Sequence, residues 1–257
     1  MSENVDPSTP SVSAPQTAPH KNSFERLAGA LFAPAETFED IARKPDVLIP
    51  ILLFVLLGYI TAFINIPRMD FDAMVQQQHE AMRAQKPEMT EKDFEPIDKM
   101  TRAFTKVVSW IGPLIGVLMY VIIAAVFLLA FRLFGGQGTF TQSLSATLYA
   151  WIPLVLFSIV MTAVIAMRGS WDPTHLATIV KSNPAFLVEM KEHPVLFSFL
   201  SSFDIFTIWT LALMTFGYAA MSKLSRVKSA VLVFSVYFIW VFVKLGFAAI
   251  GAARMKA

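Results

Sequence analysis

Residues 195–250 read VLFSFLSSFDIFTIWTLALMTFGYAAMSKLSRVKSAVLVFSVYFIWVFVKLGFAAI. Two long apolar runs, 195–221 and 229–250, meet in this stretch at a basic turn, residues 223–228. Each run is long enough to cross the hydrocarbon core of a bilayer, which takes about 20 apolar residues in a helix. The stretch therefore predicts an antiparallel pair of transmembrane helices.

This helical pair contains one acid and one base. Asp204 is the acid of the first run, and Lys244 is the base of the second. When the two helices are folded about Ser225, the two side chains lie within roughly 3 Å of the same depth, at 1.5 Å per residue. Charges inside a bilayer usually pair or face a cavity. Three interpretations remain open: a titratable pair on a proton or solute path, a structural pair that holds the helices in register, or a Lys244 that extends to the membrane surface.

The remainder of the chain adds three further apolar runs. Of its 257 residues, 55% are hydrophobic and 16% are charged, whereas a soluble domain is about a quarter charged. The runs 47–66, 107–131 and 144–167 each have the length of a span, and Pro153 is expected to kink the third. With the two runs above, the sequence predicts an all-α integral membrane bundle of five transmembrane helices over residues 47–253.

Three polar segments accompany these spans. Residues 1–22 are rich in Pro and Ser and have no apolar core, which predicts a disordered tail. Residues 23–46 show two short amphipathic patterns, the second opened by Pro34, and are expected to form helices on the bilayer surface. Residues 67–106 mix bases and acids throughout, so we expect a solvated helical connection above the membrane.

The sequence offers no constellation for catalysis. There is no cysteine, which excludes thiolate chemistry and thiolate metal sites. The glycine-rich turn 135–138 lacks the GK[ST] ending of a phosphate-binding loop. The net charge of +2 gives no indication of nucleic-acid binding. We therefore expect no catalytic residue, no cofactor and no metal site. The histidines are scattered through polar segments at His20, His79, His175 and His193.

Gly112 and Gly116 form a GxxxG spacing in the second predicted span. Small residues at this spacing allow two helices to approach closely. Packing inside the bundle is the favoured interpretation, and contact with a second copy is the alternative.

Three motifs follow one another along the chain: LFAPAETF at 31–38, GGQGTF at 135–140 and FDIFTIW at 203–209. In this order and spacing they resemble the Yip domain family, the Ypt/Rab-GTPase-interacting membrane proteins, over residues 24–250. The positions that carry the resemblance are Pro34, Phe38, Gly136, Tyr149, Pro153, Asp204 and Trp209.

The resemblance implies five spans and a cytoplasmic N-terminus. Eukaryotic members of the family are linked to Rab GTPase cycles, vesicle traffic and membrane shaping. The short tail and compact loops of this chain look more like those of bacterial members, whose function is largely undefined. The basic turn 223–228 has no acid, and such turns usually face the cytoplasm. A plain count of Lys and Arg favours the opposite orientation, with eight on the N-terminal side and twelve on the other, but the rule applies best to short loops. We expect a multi-pass protein of the bacterial inner membrane.

Two functions are predicted on this basis. The first is non-enzymatic: membrane organisation, scaffolding or protein recruitment through residues 24–44, with the lipid bilayer and a membrane or peripheral protein as partners. The alternative is a small transporter or channel subunit that uses Asp204 and Lys244. No role with nucleic acid is expected.

Overall fold

The structure, a computed structural model, describes residues 20–256, so the predicted polar tail lies almost entirely outside it. Its first two helices are α1 (Ser23–Phe32) and α2 (Pro34–Arg43). A capping box starts α1: Asn22 Oδ1 accepts from the Glu25 backbone N–H at 2.9 Å, and the Glu25 carboxylate accepts from the Asn22 N–H at 2.8 Å. This exchange satisfies two otherwise unpaired amides and fixes where the helix begins.

The first span and the charged connection form three helices. They are α3 (Leu48–Asn65), α4 (Phe71–Gln85) and α5 (Glu91–Leu133). The 43 residues of α5 continue from the charged connection through the second predicted span. At 1.5 Å per residue this helix is about 65 Å long, roughly twice the thickness of the hydrocarbon core. The second half of the charged connection is thus the outer part of a membrane-spanning helix.

The third apolar run forms two helices, α6 (Phe140–Ala150) and α7 (Ile152–Arg168), which are separated at Trp151. Pro153 lies in the first turn of α7. Its ring has no N–H to donate and clashes with the carbonyl of the residue four positions earlier, so the helix cannot continue unbroken. Together, α6 and α7 are long and apolar enough to cross a membrane.

The fourth apolar run is also interrupted. The structure has a short helix α8 (Pro194–Leu200), a turn at 201–204, and then α9 (Ile205–Ser222). Asp204 caps α9 and so sets where this helix begins. The single run predicted at 195–221 is therefore two helices, and α9 is the part with the length of a membrane span.

The last helix, α10 (Arg226–Lys256), runs antiparallel to α9 and completes five candidate membrane spans in the described part of the chain. The predicted all-α, five-span fold class is confirmed, and the protein is a multi-pass membrane protein. Successive spans alternate in direction, which gives the bundle two ends. We call the end with α1, α2 and the α9–α10 turn the near end. The end with α4, the outer part of α5 and residues 169–204 is the far end.

The centre of the bundle forms around Tyr218 on α9. Its hydroxyl lies 2.8 Å from the Ser143 hydroxyl and 2.8 Å from the Thr147 hydroxyl, so the buried phenol has its hydrogen-bonding partners. Its ring packs against those of Phe127 and Phe131 on α5, at centroid distances of 5.1 and 4.9 Å. The outer faces of α3, α5 and α10 are apolar and exposed, as expected of helices surrounded by lipid.

The glycines of the GxxxG spacing do not pack within the bundle. A Cβ built on Gly112 or Gly116 meets no atom within 4 Å, so the favoured interpretation of in-bundle packing was wrong. Close approach in this region occurs instead between α3 and α5. A Cβ on Gly58 would lie 2.9 Å from the Cβ of Pro113, and the two helices touch there because position 58 has no side chain.

Candidate functional site

The near end is covered by α1 and α2, which we call the platform. α2 packs against α9 and α6 with Phe38 and Ile41 buried. Gly217 of α9 permits this contact, since a Cβ there would lie 3.1 Å from the Phe38 ring. The inner face of the platform is therefore covered by protein, whereas Phe24 and Phe32 on α1 are exposed.

A buried ion pair joins the two helices of the platform. The Arg26 Nε donates to Asp40 Oδ2 at 2.9 Å, and its Nη2 lies 2.9 Å from the same oxygen. The Arg26 Nη1 donates to Asp46 Oδ1 at 2.7 Å. Both side chains of the Arg26–Asp40 pair are only 3% exposed. Such a pair is costly to bury and strongly destabilising to break, so it holds α1 and α2 in one arrangement.

Asp46 connects the platform to α6. The Tyr149 hydroxyl lies 3.0 and 2.9 Å from the two carboxylate oxygens of Asp46 and donates to them. The Ser145 hydroxyl donates to the Asp46 carbonyl at 2.7 Å, and the Ser23 hydroxyl donates to its carboxylate at 2.6 Å. The carboxylate therefore receives donors from α1 and α6, and it shares the single positive charge of Arg26 with Asp40. We call Arg26, Asp40, Asp46 and Tyr149 the anchor network.

The surroundings of the anchor network shift two pKa values. Burial alone would raise the pKa of Asp40, but hydrogen bonds from His20 and Arg26 outweigh it and hold that pKa below its ordinary value. Burial would lower the pKa of Arg26, and its bonds to Asp40 and Asp46 outweigh this and raise it. Both residues therefore stay charged at neutral pH.

At the far end, Asp204 serves as the N-cap of α9. Its Oδ1 accepts from the backbone N–H groups of Phe206 at 2.8 Å and Thr207 at 3.3 Å. The Ser182 hydroxyl donates to its Oδ2. These bonds satisfy the first turn of α9 and attach the segment before α8 to it, so the carboxylate has a structural task in this position.

Lys244 lies at the same level of the bundle but has other partners. Its Nζ donates to the Ser201 hydroxyl at 2.8 Å and to the Ser202 hydroxyl at 3.1 Å. The Tyr237 hydroxyl donates to the Ser202 carbonyl. Thus α10 holds the turn before α9 through two side chains. In the described part of the chain, no direct ion pair forms between Asp204 and Lys244. Each of the two side chains forms hydrogen bonds to other residues in or beside the turn 201–204.

The motif positions divide between the two ends and the connections. Pro34 starts α2, Phe38 is buried beneath it, and Tyr149 belongs to the anchor network. Gly136 lies in the α5–α6 loop, where a Cβ would be 2.8 Å from the Phe131 carbonyl oxygen. The structure thus brings Phe38 and Tyr149 to the near end.

The remaining motif positions have different surroundings. Pro153 is buried at the start of α7. Asp204 lies at the far end, where it caps α9, and Trp209, one turn further into α9, is 37% exposed.

Sequence reasoning missed three members of the anchor network: Arg26, Asp40 and Asp46. A usable pattern was present. Arg26 lies four residues before the buried Ala30 on α1, and Asp40 is next to the buried Ile41 on α2. Opposite charges on the inner faces of two adjoining amphipathic helices indicate a buried pair. Asp46, in contrast, lies in a connection that has no helical periodicity, so no sequence pattern indicates that its side chain is part of the network.

A model of the Yip1 domain family matches residues 28–248. The chain belongs to this family. The match covers most of the chain, from the middle of α1 to α10, and includes Asp40, Asp46 and Tyr149. No curated protein and no solved structure matches the chain.

Membership of the Yip1 domain family agrees with the resemblance seen in the motifs and with the five candidate spans. The family is not known as enzymatic. In residues 20–256, no group of three or more His, Asp or Glu side chains is placed to hold a metal ion. The contacts of the anchor network are hydrogen bonds and ion pairs, and they position α1, α2 and α6 relative to one another.

Proposed function

We propose that this Yip1-domain protein is a non-enzymatic membrane scaffold that recruits a membrane or peripheral protein through the platform. The observation that carries the proposal is the anchor network, in which the buried Arg26 and Asp40 join α1 to α2 and Asp46 joins both to Tyr149 of α6. A surface held in one arrangement loses little conformational entropy when a partner binds. The anchor network thus supports a recognition role for the platform.

The outer face of the platform suits contact with a protein. It exposes charges of both signs, among them Glu25, Glu39 and Lys44. Mixed charges at fixed positions select partners by complementarity and suppress wrong ones. A segment that only rested on lipid would gain little from carboxylates at these positions, because anionic headgroups repel them.

We further propose that the near end faces the cytoplasm of a bacterial inner membrane. The loops of this end carry the basic turn 223–228 without any acid, which favours the cytoplasmic side. The chain has no cysteine, so single cysteines report on each end separately. We expect a membrane-impermeant maleimide to label Glu88→Cys in intact spheroplasts and Glu39→Cys only after the membrane is disrupted. The reverse pattern would overturn the orientation.

Photo-crosslinking in native membranes tests the recruitment function. A photoreactive residue at position 39 samples the platform, and the same residue at position 88, in the exposed connection of the far end, is the matched control. We expect a discrete protein adduct at position 39 that Lys44→Glu weakens and that position 88 lacks. Identical adducts at both positions, or none at position 39, would remove the platform as a recruitment surface.

The alternative function is that of a transporter or channel subunit. It would use Asp204 and Lys244, which lie at the same level at the far end. The donors around Asp204 and the serine hydroxyls around Lys244 support a structural role for both. Proton uptake into proteoliposomes, followed with an internal pH-sensitive dye, separates the two functions. We expect wild-type protein and Asp204→Asn to give the same uptake. A flux that Asp204→Asn abolishes while the protein stays folded would favour transport.

A further inference from the structure

The near end carries a second surface, separate from the platform. Here the loop between α5 and α6 lies against the turn between α9 and α10, and the Gln137 N–H donates to the Ser222 carbonyl at 2.9 Å. Gly138 has a φ of 116°, and a Cβ there would lie 3.2 Å from the Met221 carbonyl oxygen. Both facts favour glycine at this contact. We call the surface formed by residues 132–139 and 222–228 the basic seam.

Cations without acidic partners occupy the basic seam. None of them forms an ion pair with a carboxylate in the part of the chain that the structure describes. The sequence also has no acid from 99 to 171 or from 205 to its end, so no neighbour on these elements neutralises them. The exposed cations of the seam are Arg132, Lys223, Arg226 and Lys228.

Local contacts hold several of these cations in place. The Arg132 Nη2 donates to the Gly138 carbonyl at 3.1 Å, which ties the end of α5 to the loop. The Arg226 guanidinium lies 5.3 Å from the centroid of the Phe216 ring on α9. Lys223 adopts a left-handed conformation, φ 59°, at the end of α9. The seam therefore presents its charges from a folded surface in which two loops meet.

Apolar side chains adjoin the cations and continue into the membrane. Leu133 and Val227 are each 75% exposed at the seam. One helical turn further into the bundle, Leu129 on α5 and Val231 on α10 are also exposed, at 61% and 60%. An amphiphile with its anionic group at the cations could lay its hydrocarbon chains along these two helices. A water-soluble acidic protein would leave this apolar continuation unused.

We propose that the basic seam binds the headgroup of an anionic phospholipid, with the acyl chains against the exposed sides of α5 and α10. Charge complementarity selects the headgroup, because each Lys or Arg near a membrane surface attracts anionic lipid. The seam lies at the ends of α5, α6, α9 and α10, which is the level of the headgroups for spans of this length. This site does not depend on recruitment through the platform.

Lipid-dependent stabilisation of the full chain in detergent tests the proposal. Phosphatidylglycerol and phosphatidylcholine are titrated separately, and the rise in the unfolding temperature gives an apparent affinity for each lipid. We expect wild-type protein to respond to phosphatidylglycerol and much less to phosphatidylcholine. Lys223→Asn with Lys228→Gln should weaken the apparent affinity for phosphatidylglycerol by roughly thirtyfold, because each charge at the level of the headgroups contributes about 1 kcal/mol. Asn tolerates the left-handed conformation at position 223, so folding is expected to be preserved.

The matched control removes two exposed cations at the far end, Lys86→Gln with Lys92→Gln. It changes the net charge equally, and we expect it to respond as wild type does. An equal loss of affinity for phosphatidylglycerol in the seam and control variants would overturn the proposal and would indicate non-specific charge attraction. Absence of a phosphatidylglycerol preference in wild type would overturn it as well.

A third comparison distinguishes lipid from other anionic ligands. Inorganic phosphate at matched concentration is expected to leave the unfolding temperature unchanged, since it lacks the chains that α5 and α10 would hold. If the seam variant kept its phosphatidylglycerol response but lost the crosslinked protein adduct at position 39, the seam would serve the protein partner and the lipid proposal would fail. Loss of the lipid response with an unchanged adduct would support the lipid site and leave recruitment standing separately.

Discussion

Ion pairs occur at both ends of the bundle, but their surroundings differ. At the near end, Arg26 and Asp40 are each 3% exposed and belong to a network that reaches α6. At the far end, Lys191 and Glu80 lie 2.8 Å apart with 70% and 65% of their side chains exposed. Water screens an exposed pair, so it adds little, whereas a buried pair must keep all its partners. The buried pair at the near end is thus fixed to its partners, whereas the exposed pair at the far end can exchange its contact for water.

The largest expected effect comes from breaking the buried pair. Arg26→Gln leaves the carboxylates of Asp40 and Asp46 without their cation, and we expect a loss of about 3–5 kcal/mol of unfolding free energy. Lys99→Gln is the control, because Lys99 forms an exposed pair with Glu95 one turn away, and it should cost about 0.5 kcal/mol or less. Unfolding in mixed micelles measures both, and similar losses would contradict the contrast between the ends.

A smaller loss of stability is expected from overpacking the contact between the platform and α9. Gly217→Ala places a methyl group 3.1 Å from the Phe38 ring and should cost about 1–3 kcal/mol through overpacking. Gly112→Ala on α5 makes the same chemical change in open space and should be neutral or slightly stabilising. Thermal unfolding of the two variants compares them directly. A destabilising Gly112→Ala would indicate that a second copy packs against α5.

Protonation of Asp40 at acid pH should lower the free energy of unfolding, because it removes the charge that pairs with Arg26. Its pKa is lower in the folded protein than in the unfolded chain, so its contribution to stability is present above the unfolded value of about 3.9 and is lost as the pH falls through the folded pKa. We expect Asp40→Asn to be less stable than wild type at neutral pH and to lose less stability below about pH 4. Unfolding temperatures across that range test this, with Glu88→Gln as the exposed control. Parallel curves for Asp40→Asn and wild type would contradict the prediction.

The smallest expected effect is the coupling free energy between substitutions at Asp204 and Lys244. Because they bind different partners, the losses from Asp204→Asn and Lys244→Met should add to within about 0.5 kcal/mol in the double variant. Asn is a good N-cap, so Asp204→Asn should itself cost little. A double-mutant cycle of unfolding free energies measures the coupling. A double variant that loses less than the sum of the two single losses, by more than about 1 kcal/mol, would show that the two charges interact directly.

The fold was largely predictable because it follows from length and apolarity. A span needs a run of apolar residues, and five such runs are visible in the sequence. The interruption at 201–204 was not predicted, although Asp204 is a strong N-cap residue within an apolar run. The sequence suggested only a charge inside the membrane at Asp204, and this interpretation concealed the start of α9.

Only the Arg26–Asp40 pair of the anchor network had a signal in the sequence, and the rest of the network had none. Its contacts join residues far apart in the chain, and Asp46 and Tyr149 are 103 positions apart. Periodicity within one helix shows which face is buried but not which residue of another helix lies opposite. Tyr149 carries part of the family resemblance, but its role depends on Asp46, whose carboxylate lies beside the Tyr149 hydroxyl.

The uninterrupted length of α5 gives the molecule a rigid lever. A rod of about 65 Å that tilts by about 10° moves its tip by about 11 Å relative to its base. Two prolines lie inside α5, Pro96 and Pro113, and Pro113 is supported from the side because it rests on Gly58 of α3. A small change in the angle of α5 in the membrane would therefore move the outer hairpin by a distance comparable to the diameter of a helix.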